Sequence, residues 1–313
     1  MSASGQRDRA KRGAAILSIA SNAILIVLKL VAGSLTGSVA ILTEAMHSAI
    51  DLIASLVAYF SIRKAGEPAD ESHRYGHEKV ENLASAVEGL LILVGSAVIV
   101  YEAVRRLASG AELEQVPLGI AVIALSIVVN LAVSARIARV ARATGSPALE
   151  GDAAHLGADA LTSGGVLAGL VLVQITGWTW VDPVVAIAVA AAIVVSGVRI
   201  LDRSSRVLVD EALPAAEMDA IRETLLSFGP RGVVGYHELR TRRAGARRHV
   251  DLHVQFRRGT TLEDAHAVAH ELQDAIRARL EEADVLIHLE PEDRVRPGGE
   301  VPARPGAERL SGR

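Results

Sequence analysis

The chain has 313 residues, of which 50% are hydrophobic and only 3% are aromatic, and its formal net charge is −3. This charge gives no reason to expect a nucleic-acid partner, and the lack of cysteine excludes a disulfide framework and a thiolate metal site. Because the hydrophobic residues are collected into long apolar runs, the composition indicates a protein that lies in a lipid bilayer.

Six apolar segments are long enough, at roughly 20 residues, to cross a bilayer as helices. The first follows a basic segment, residues 1–13, and is too long for the apolar region of a signal peptide. We therefore predict an all-α transmembrane domain over residues 14–206. Its six spans are expected at residues 14–32, 38–62, 81–101, 117–137, 148–175 and 181–201.

Basic residues are concentrated in alternate connections between these spans. They lie before the first span, between the second and third, between the fourth and fifth, and after the sixth, whereas the opposite loops contain only Arg105 and Arg106. Because cytoplasmic loops carry an excess of lysine and arginine, both termini are predicted to be cytoplasmic. The short chain and the lack of a cleavable signal favour a bacterial inner membrane.

Residues 207–292 have the composition of a soluble domain. Their periodicity predicts helices at residues 214–228 and 261–280 and strands at residues 233–242, 248–256 and 285–289. The order helix–strand–strand–helix–strand is typical of a small α+β domain of ferredoxin-like type. Residues 293–313, which are rich in proline, glycine, arginine and glutamate, are predicted to form a disordered tail.

Ionisable residues inside the spans are the most informative feature of the sequence. The second span contains His47 and Asp51, and the fifth repeats this spacing with His155 and Asp159. Residues four apart share one face of a helix, and charged groups in lipid are costly unless they are paired or ligated. Two imidazoles and two carboxylates would form a tetrahedral site for one divalent metal ion. The alternative is a polar patch that holds the helices together without metal.

The loop after the second span contains a second group of candidate ligands, Asp70, His73 and His77. Their side chains are of the types that bind zinc. A solvated polar loop explains the same residues equally well.

The soluble domain holds six of the ten histidines. If the predicted sheet aligns its strands, several of these would meet one carboxylate and bind metal, whereas the alternative is a set of ordinary surface histidines. The candidates on the strands are His237, His253, His288 and Glu290, while His266 and His270 lie on one face of the second helix.

Other functions are less favoured. A zinc protease requires His-Glu-x-x-His, and all three His-Glu pairs lack the second histidine, because Glu81, Thr241 and Asp274 stand there. A metal-sensing scaffold would not need four buried ionisable groups, and a proton-coupled transporter of organic solutes would not need two copies of His-x-x-x-Asp.

From about Ala14 to Pro291 the chain resembles the cation diffusion facilitators in the order and spacing of its motifs. The shared features are the six spans, the α+β domain, the two His-x-x-x-Asp segments, the loop triad and the closing sequence Ile287-His288-Leu289-Glu290-Pro291.

The resemblance implies a homodimer that exports a divalent metal, zinc first, in exchange for protons. It implies a transport site of His47, Asp51, His155 and Asp159, a loop site, and a cytoplasmic cluster. That cluster would comprise His237, His253, His266, His288 and Glu290. Some relatives carry aspartate in place of His47, and the nitrogen ligand here favours zinc over manganese or iron. Cadmium, cobalt and nickel also suit such ligands. Some relatives also carry a shorter carboxylate in place of Glu290.

Overall fold

The structure is a computed structural model that describes residues 3–36, 39–109, 117–178, 180–295 and 297–302. The chain divides into two compact units, residues 1–206 and residues 207–313. The described part of the first unit is helical, and the second combines helices with a sheet.

Six long helices form the first unit, as the apolar segments predict. Most of them extend past the predicted span, because hydropathy marks only the apolar part of a helix. Arginine is a good helix former, so an arginine-rich end such as that of α4 continues the helix. The helices are α1 (Ala3–Thr36), α2 (Val39–Ala65), α3 (Lys79–Ser109), α4 (Pro117–Thr144), α5 (Pro147–Thr176) and α6 (Val181–Leu208).

The length and composition of these helices fit a bilayer. Within the described residues, α1, α3, α4, α5 and α6 are each long and apolar enough to cross a membrane. The remaining helix, α2, has 27 residues and packs against α1, α3 and α5. The six-helix membrane domain predicted from the sequence is therefore the observed architecture.

A helix cap fixes the start of α5. The Ser146 hydroxyl accepts a hydrogen bond from the backbone N–H of Leu149 at 3.4 Å, and Pro147 occupies the first turn, where its missing N–H costs nothing. With this start, His155 and Asp159 lie two to four turns inside the helix, at a depth where lipid or protein replaces water.

A buried ion pair joins three helices near their predicted cytoplasmic ends. Lys11 Nζ on α1 lies 2.8 Å from Glu81 Oε1 on α3, and both side chains are buried. The Ser146 hydroxyl, at the start of α5, donates to the other oxygen of the same carboxylate. Glu81 therefore has partners on two neighbouring segments, so the ends of α1, α3 and α5 are held together.

Glycine allows α3 to approach α6 closely. A Cβ atom placed on Gly89 would lie 3.0 Å from the backbone nitrogen of Leu201, and one on Gly197 would lie 3.0 Å from Ile92 Cγ2. Such small residues are common where membrane helices cross, because van der Waals contact there replaces the hydrophobic effect as the force of association.

The second unit is a small α+β domain. Strand β2 lies in the centre of its three-stranded sheet, antiparallel to β1 and parallel to β3. The elements are α7 (Ala215–Ser227), β1 (Val233–Ala244), β2 (Arg247–Phe256), α8 (Leu262–Arg279) and β3 (Ala283–Pro291). Both the element order and the ferredoxin-like class agree with the prediction.

The core of this unit is formed by the apolar face of β2 and the facing stripes of the two helices. Leu252 on β2, Leu225 on α7 and Leu272 and Ile276 on α8 are almost completely buried. The alternation of apolar and polar residues along β2 therefore does set one face of the sheet against the helices.

Part of the predicted disordered tail is ordered. The Val301 N–H donates to the Val234 carbonyl at 2.9 Å, Glu300 forms an antiparallel bridge with Gly235, and the Val301 side chain is buried in the core. The amino-acid composition of the tail does not reveal this contact, because a single apolar residue and the free edge of β1 are enough to hold the segment. Residues 303–313 lie outside the described part of the chain.

The buried pair Lys11–Glu81 makes a prediction about stability. Lys11→Met leaves a carboxylate buried without its cation, so we expect a loss of about 3–5 kcal/mol in the free energy of unfolding. The control is Lys64→Met, which breaks a half-exposed pair with Glu67 at 2.5 Å and should cost far less, because water screens exposed charges. Thermal unfolding of the detergent-solubilised protein measures both losses of stability. Equal losses in the two variants would contradict the stabilising role of the buried Lys11–Glu81 pair.

Candidate metal sites and the family of the chain

Three ligand-type side chains meet between α2 and α5. His155 Nε2 lies 3.4 Å from Asp51 Oδ1 and 3.8 Å from Asp159 Oδ2. Asp51 and His155 are buried, and Asp159 is nearly so. One nitrogen and two carboxylate oxygens thus lie within 4.8 Å of one another, close enough to bind a single ion together.

The fourth predicted member of this group is His47. It lies in α2 one turn before Asp51, but its side chain is outside the part of the structure that is described. The assignment of His47 as a ligand therefore stays a prediction from the four-residue spacing.

Two further buried acids lie beside this group. Asp152 is on α5, and its Oδ1 accepts hydrogen bonds from the hydroxyls of Ser18 at 3.0 Å and Ser55 at 3.1 Å. Glu88, on α3, places Oε2 3.8 Å from His155 Nδ1 and is completely buried. Neither acid was among the predicted ligands.

The sequence carried a signal for Glu88. It is the only acidic residue between Glu81 and Glu102, in a stretch that is otherwise strongly apolar. An ionisable residue at that depth indicates a functional site by itself. Because Glu88 has no histidine at helical spacing in its own span, its neighbour on α5 becomes visible only in the folded chain.

Polar side chains link α1 to the same region. The Asn22 amide donates to the Ser55 hydroxyl at 2.8 Å, and the Ser55 hydroxyl lies 2.8 Å from that of Ser18. Lys29 on α1 donates to the Ser48 hydroxyl on α2 at 2.8 Å. Hydrogen bonds of this kind hold membrane helices together, so the position of α1 is tied to that of α2.

The loop triad is also brought together. Asp70 Oδ2 lies 3.3 Å from His77 Nε2, and Asp70 Oδ1 lies 3.4 Å from His73 Nδ1. Hydrogen bonds from the Ser72 hydroxyl and from the backbone N–H of His73 lower the pKa of Asp70 far below its usual range. Asp70 is therefore ionised at neutral pH. His77 is buried and has no hydrogen-bond partner for either ring nitrogen among the described residues.

In the soluble unit, the register of the sheet aligns three histidines. His237 on β1 pairs with His253 on β2, which pairs in turn with His288 on β3. The ring centroids of His237 and His253 are 4.9 Å apart, and those of His253 and His288 are 4.6 Å apart. The strands thus place one imidazole each in a row across the sheet.

Glu290 lies beside this row and contacts two of its histidines. Its carboxylate accepts hydrogen bonds from His237 Nε2 at 2.7 Å, His253 Nδ1 at 3.0 Å and the Gln255 amide at 2.7 Å. Although partial burial raises the pKa of Glu290, these hydrogen bonds lower it to about 2. The carboxylate is therefore ionised at neutral pH and can bind a cation without first losing a proton.

His266 lies apart from this cluster, beside His270 on α8. Its Nε2 atom is 3.1 Å from Nε2 of His270, one turn along α8. The group of ligand atoms within 4.8 Å of one another contains His237, His253 and Glu290, and neither His266 nor the exposed His288 belongs to it. The role that the family resemblance implies for His266 stays a prediction.

Comparison with known proteins identifies the family. The family model for the cation efflux transmembrane domain matches residues 15–209, and that for the cytoplasmic domain of cation efflux proteins matches residues 213–292. The chain belongs to the cation diffusion facilitator family of cation efflux transporters. Members of this family are integral membrane transporters of metal cations rather than enzymes, as the sequence predicts.

Full-length relatives agree with this assignment. The chain is 35% identical to the uncharacterized transporter sll1263 of Synechocystis over 283 residues, which are 90% of this chain and 91% of that protein. It is 34% identical to the cation-efflux pump FieF of Yersinia pestis over 287 residues, or 91% and 94% of the two chains. A solved structure of CzrB, a candidate zinc transporter, in its zinc form is 34% identical with a TM-score of 0.27, covering 28% of this chain and 98% of that one.

The cytoplasmic cluster makes a prediction about metal binding. His253→Ala and His288→Ala each remove a predicted ligand and should weaken zinc binding at this cluster by more than about 100-fold, which exceeds the usual effect of losing a residue that only orients a ligand. His270→Ala is the matched control from the same unit. Equilibrium dialysis of the full-length protein measures the zinc bound per chain, and equal losses in the cluster variants and the control would contradict the assignment.

Proposed function

We propose that this transporter exports divalent metal cations, zinc first, from the cytoplasm in exchange for protons. The observation that carries the proposal is the meeting of Asp51, His155 and Asp159 among apolar helices. A buried group of one imidazole and two carboxylates suits a small divalent cation, which the two negative charges neutralise.

The ligand types favour zinc among the possible cargo ions. Imidazole nitrogen together with carboxylate oxygen suits borderline ions, and His47 would add a second nitrogen from one turn away on α2. Cadmium, cobalt, nickel, iron and manganese are competing substrates for such a site, because selectivity depends on the geometry and the supply of each metal as well as on affinity. Direct competition in flux measurements ranks them.

Proton exchange follows from the chemistry of the ligands. Zinc binds the neutral form of imidazole and the ionised form of a carboxylate, so metal and protons compete for the same atoms. In alternating access, the site would bind zinc while open to the cytoplasm and take up protons while open to the other side. Histidine suits this exchange, because its reference pKa of about 6.5 lies close to physiological pH.

The orientation of the chain is part of the proposal. Residues 14–206 would lie in the membrane, with the basic segment 1–13 and the unit over residues 207–292 in the cytoplasm, as the distribution of arginine and lysine predicts. The relatives from Synechocystis and Yersinia favour the inner membrane of a bacterium.

The loop and cytoplasmic clusters would hold regulatory metal. Metal that binds the folded cytoplasmic cluster stabilises the folded domain by mass action. We also place the contact of a homodimer in this domain, which matches the family model for the cytoplasmic domain of cation efflux proteins. His237, His253 and the ionised Glu290 are all partly buried, whereas His73 and Asp70 in the loop are exposed, so the cytoplasmic cluster is the better formed of the two. Zinc sensed there would bias the transport cycle.

The proposal is tested by zinc flux in proteoliposomes. An acidic lumen should drive zinc uptake, because protons leave as zinc enters. Asp51→Ala and Asp159→Ala should each reduce this flux by at least about 100-fold, since they remove a ligand rather than a residue that orients one. Asp202→Ala is the control, because that carboxylate is half-exposed and pairs with Arg206 on the next turn at 2.8 Å.

Each result decides between functions. Full flux in Asp159→Ala would rule out the proposed transport site. Metal binding by the cytoplasmic cluster without any flux of zinc, manganese or iron in the intact protein would instead favour a metal-sensing scaffold.

A further inference from the structure

The two ring nitrogens of His155 face different groups. Nε2 faces the carboxylates of Asp51 and Asp159, at 3.4 Å and 3.8 Å, whereas Nδ1 faces Oε2 of Glu88 at 3.8 Å. The imidazole therefore lies between the proposed metal ligands on one side and a single acid from another helix on the other.

Glu88 is buried in an unusual way. Its side chain is completely buried, and neither carboxylate oxygen has a hydrogen-bond partner among the described residues. His155 Nδ1 also has none there. A buried carboxylate normally has partners, because loss of water is costly to a charged group. This Nδ1 lies 3.8 Å from Glu88 Oε2, and an approach of roughly 1 Å would bring the two within ordinary hydrogen-bond distance.

A glycine on α5 brings Glu88 to this place. A Cβ atom on Gly151 would lie 3.0 Å from both Cβ and Cγ of Glu88, and 3.2 Å from the Cα atom of Ser85. Contacts that short require one side to move, so a larger residue at position 151 would displace α3 from α5. Gly151 lies one helical turn before His155, and the close crossing is thus at the level of the imidazole.

General metal chemistry gives this arrangement a purpose. A histidine that binds a metal through one ring nitrogen commonly donates the N–H of the other to a carboxylate. That bond fixes the tautomer and the orientation of the ring. With Nδ1–H donated to Glu88, the lone pair of Nε2 is directed at the space shared with Asp51 and Asp159.

We propose that Glu88 is a positioning residue for transport, which orients His155 by accepting its Nδ1–H so that Nε2 binds the metal. This inference rests on the proposed transport site. Glu88 acts through His155, and its own carboxylate does not complete the ligand set, because it faces the nitrogen that is turned away from the other ligands.

The test compares three variants of the full-length protein in proteoliposomes. Glu88→Leu removes the acceptor and keeps most of the volume, Glu88→Gln keeps a neutral oxygen acceptor of the same size, and Gly151→Ala keeps the carboxylate but displaces it. Glu102→Gln, near the other end of α3, is the control. Zinc flux gives the KM and kcat of each, and thermal unfolding checks that each is folded.

We expect Glu88→Leu to raise the KM for zinc by about 10–100-fold, which is the range found when a residue that orients a metal ligand is lost. Glu88→Gln should stay within a few-fold of the unmodified chain, Gly151→Ala should resemble Glu88→Leu, and Glu102→Gln should have no effect. A KM unchanged in Glu88→Leu would overturn the inference. Equal damage in Glu88→Gln and Glu88→Leu would overturn it as well, because negative charge rather than the acceptor would then be required.

A spectroscopic reading separates orientation from packing. The absorption of bound Co²⁺ reports the ligands and their geometry, and subtracting the spectrum of the same variant with Asp159→Ala isolates the membrane site. Glu88→Leu should alter this difference spectrum, and Glu88→Gln should restore it. Asp159→Ala alone must abolish flux if the proposed function holds. If Asp159→Ala abolishes flux but Glu88→Leu leaves the difference spectrum unchanged, the proposed transport site stands and only the inference about Glu88 fails.

Discussion

The cost of placing ionisable groups among apolar helices governs the first unit of this protein. A charged side chain at the centre of a membrane helix costs about 2.5–3.5 kcal/mol by insertion scales, yet Asp51, Glu88, Asp152 and His155 are all buried there. Carboxylates outnumber imidazoles among the described side chains of this group. Under the proposed function, a divalent cation as cargo would offset part of this negative charge.

The packing of the helices serves these charges. Two serine hydroxyls donate to Asp152, and a glycine lets α3 press Glu88 against α5. At the helix ends, the Lys11–Glu81 pair fastens α1 to α3 with a second bond from the cap of α5. The proposed ligands on α2 and α5 are thereby held by neighbouring helices, as precise metal binding requires.

Sequence and structure agree where regular spacing decides the outcome. Four-residue spacing placed His155 and Asp159 on one face, and alternation on β2 placed Leu252 in the core and His253 opposite. Contacts between segments distant in the chain were not predictable in this way. Glu88 meets His155 only because α3 crosses α5 at a glycine, and the burial of Val301 depends on the free edge of β1.

In the proposed function, zinc binds between α2 and α5 on its way across the membrane. The most direct measurement is an electron-cryomicroscopy or anomalous-diffraction map of the full-length protein with zinc. We expect a metal peak at about 2.0–2.2 Å from His155 Nε2 and from oxygens of Asp51 and Asp159. Metal peaks in the loop and cytoplasmic clusters, with none between α2 and α5 at saturating zinc, would contradict it.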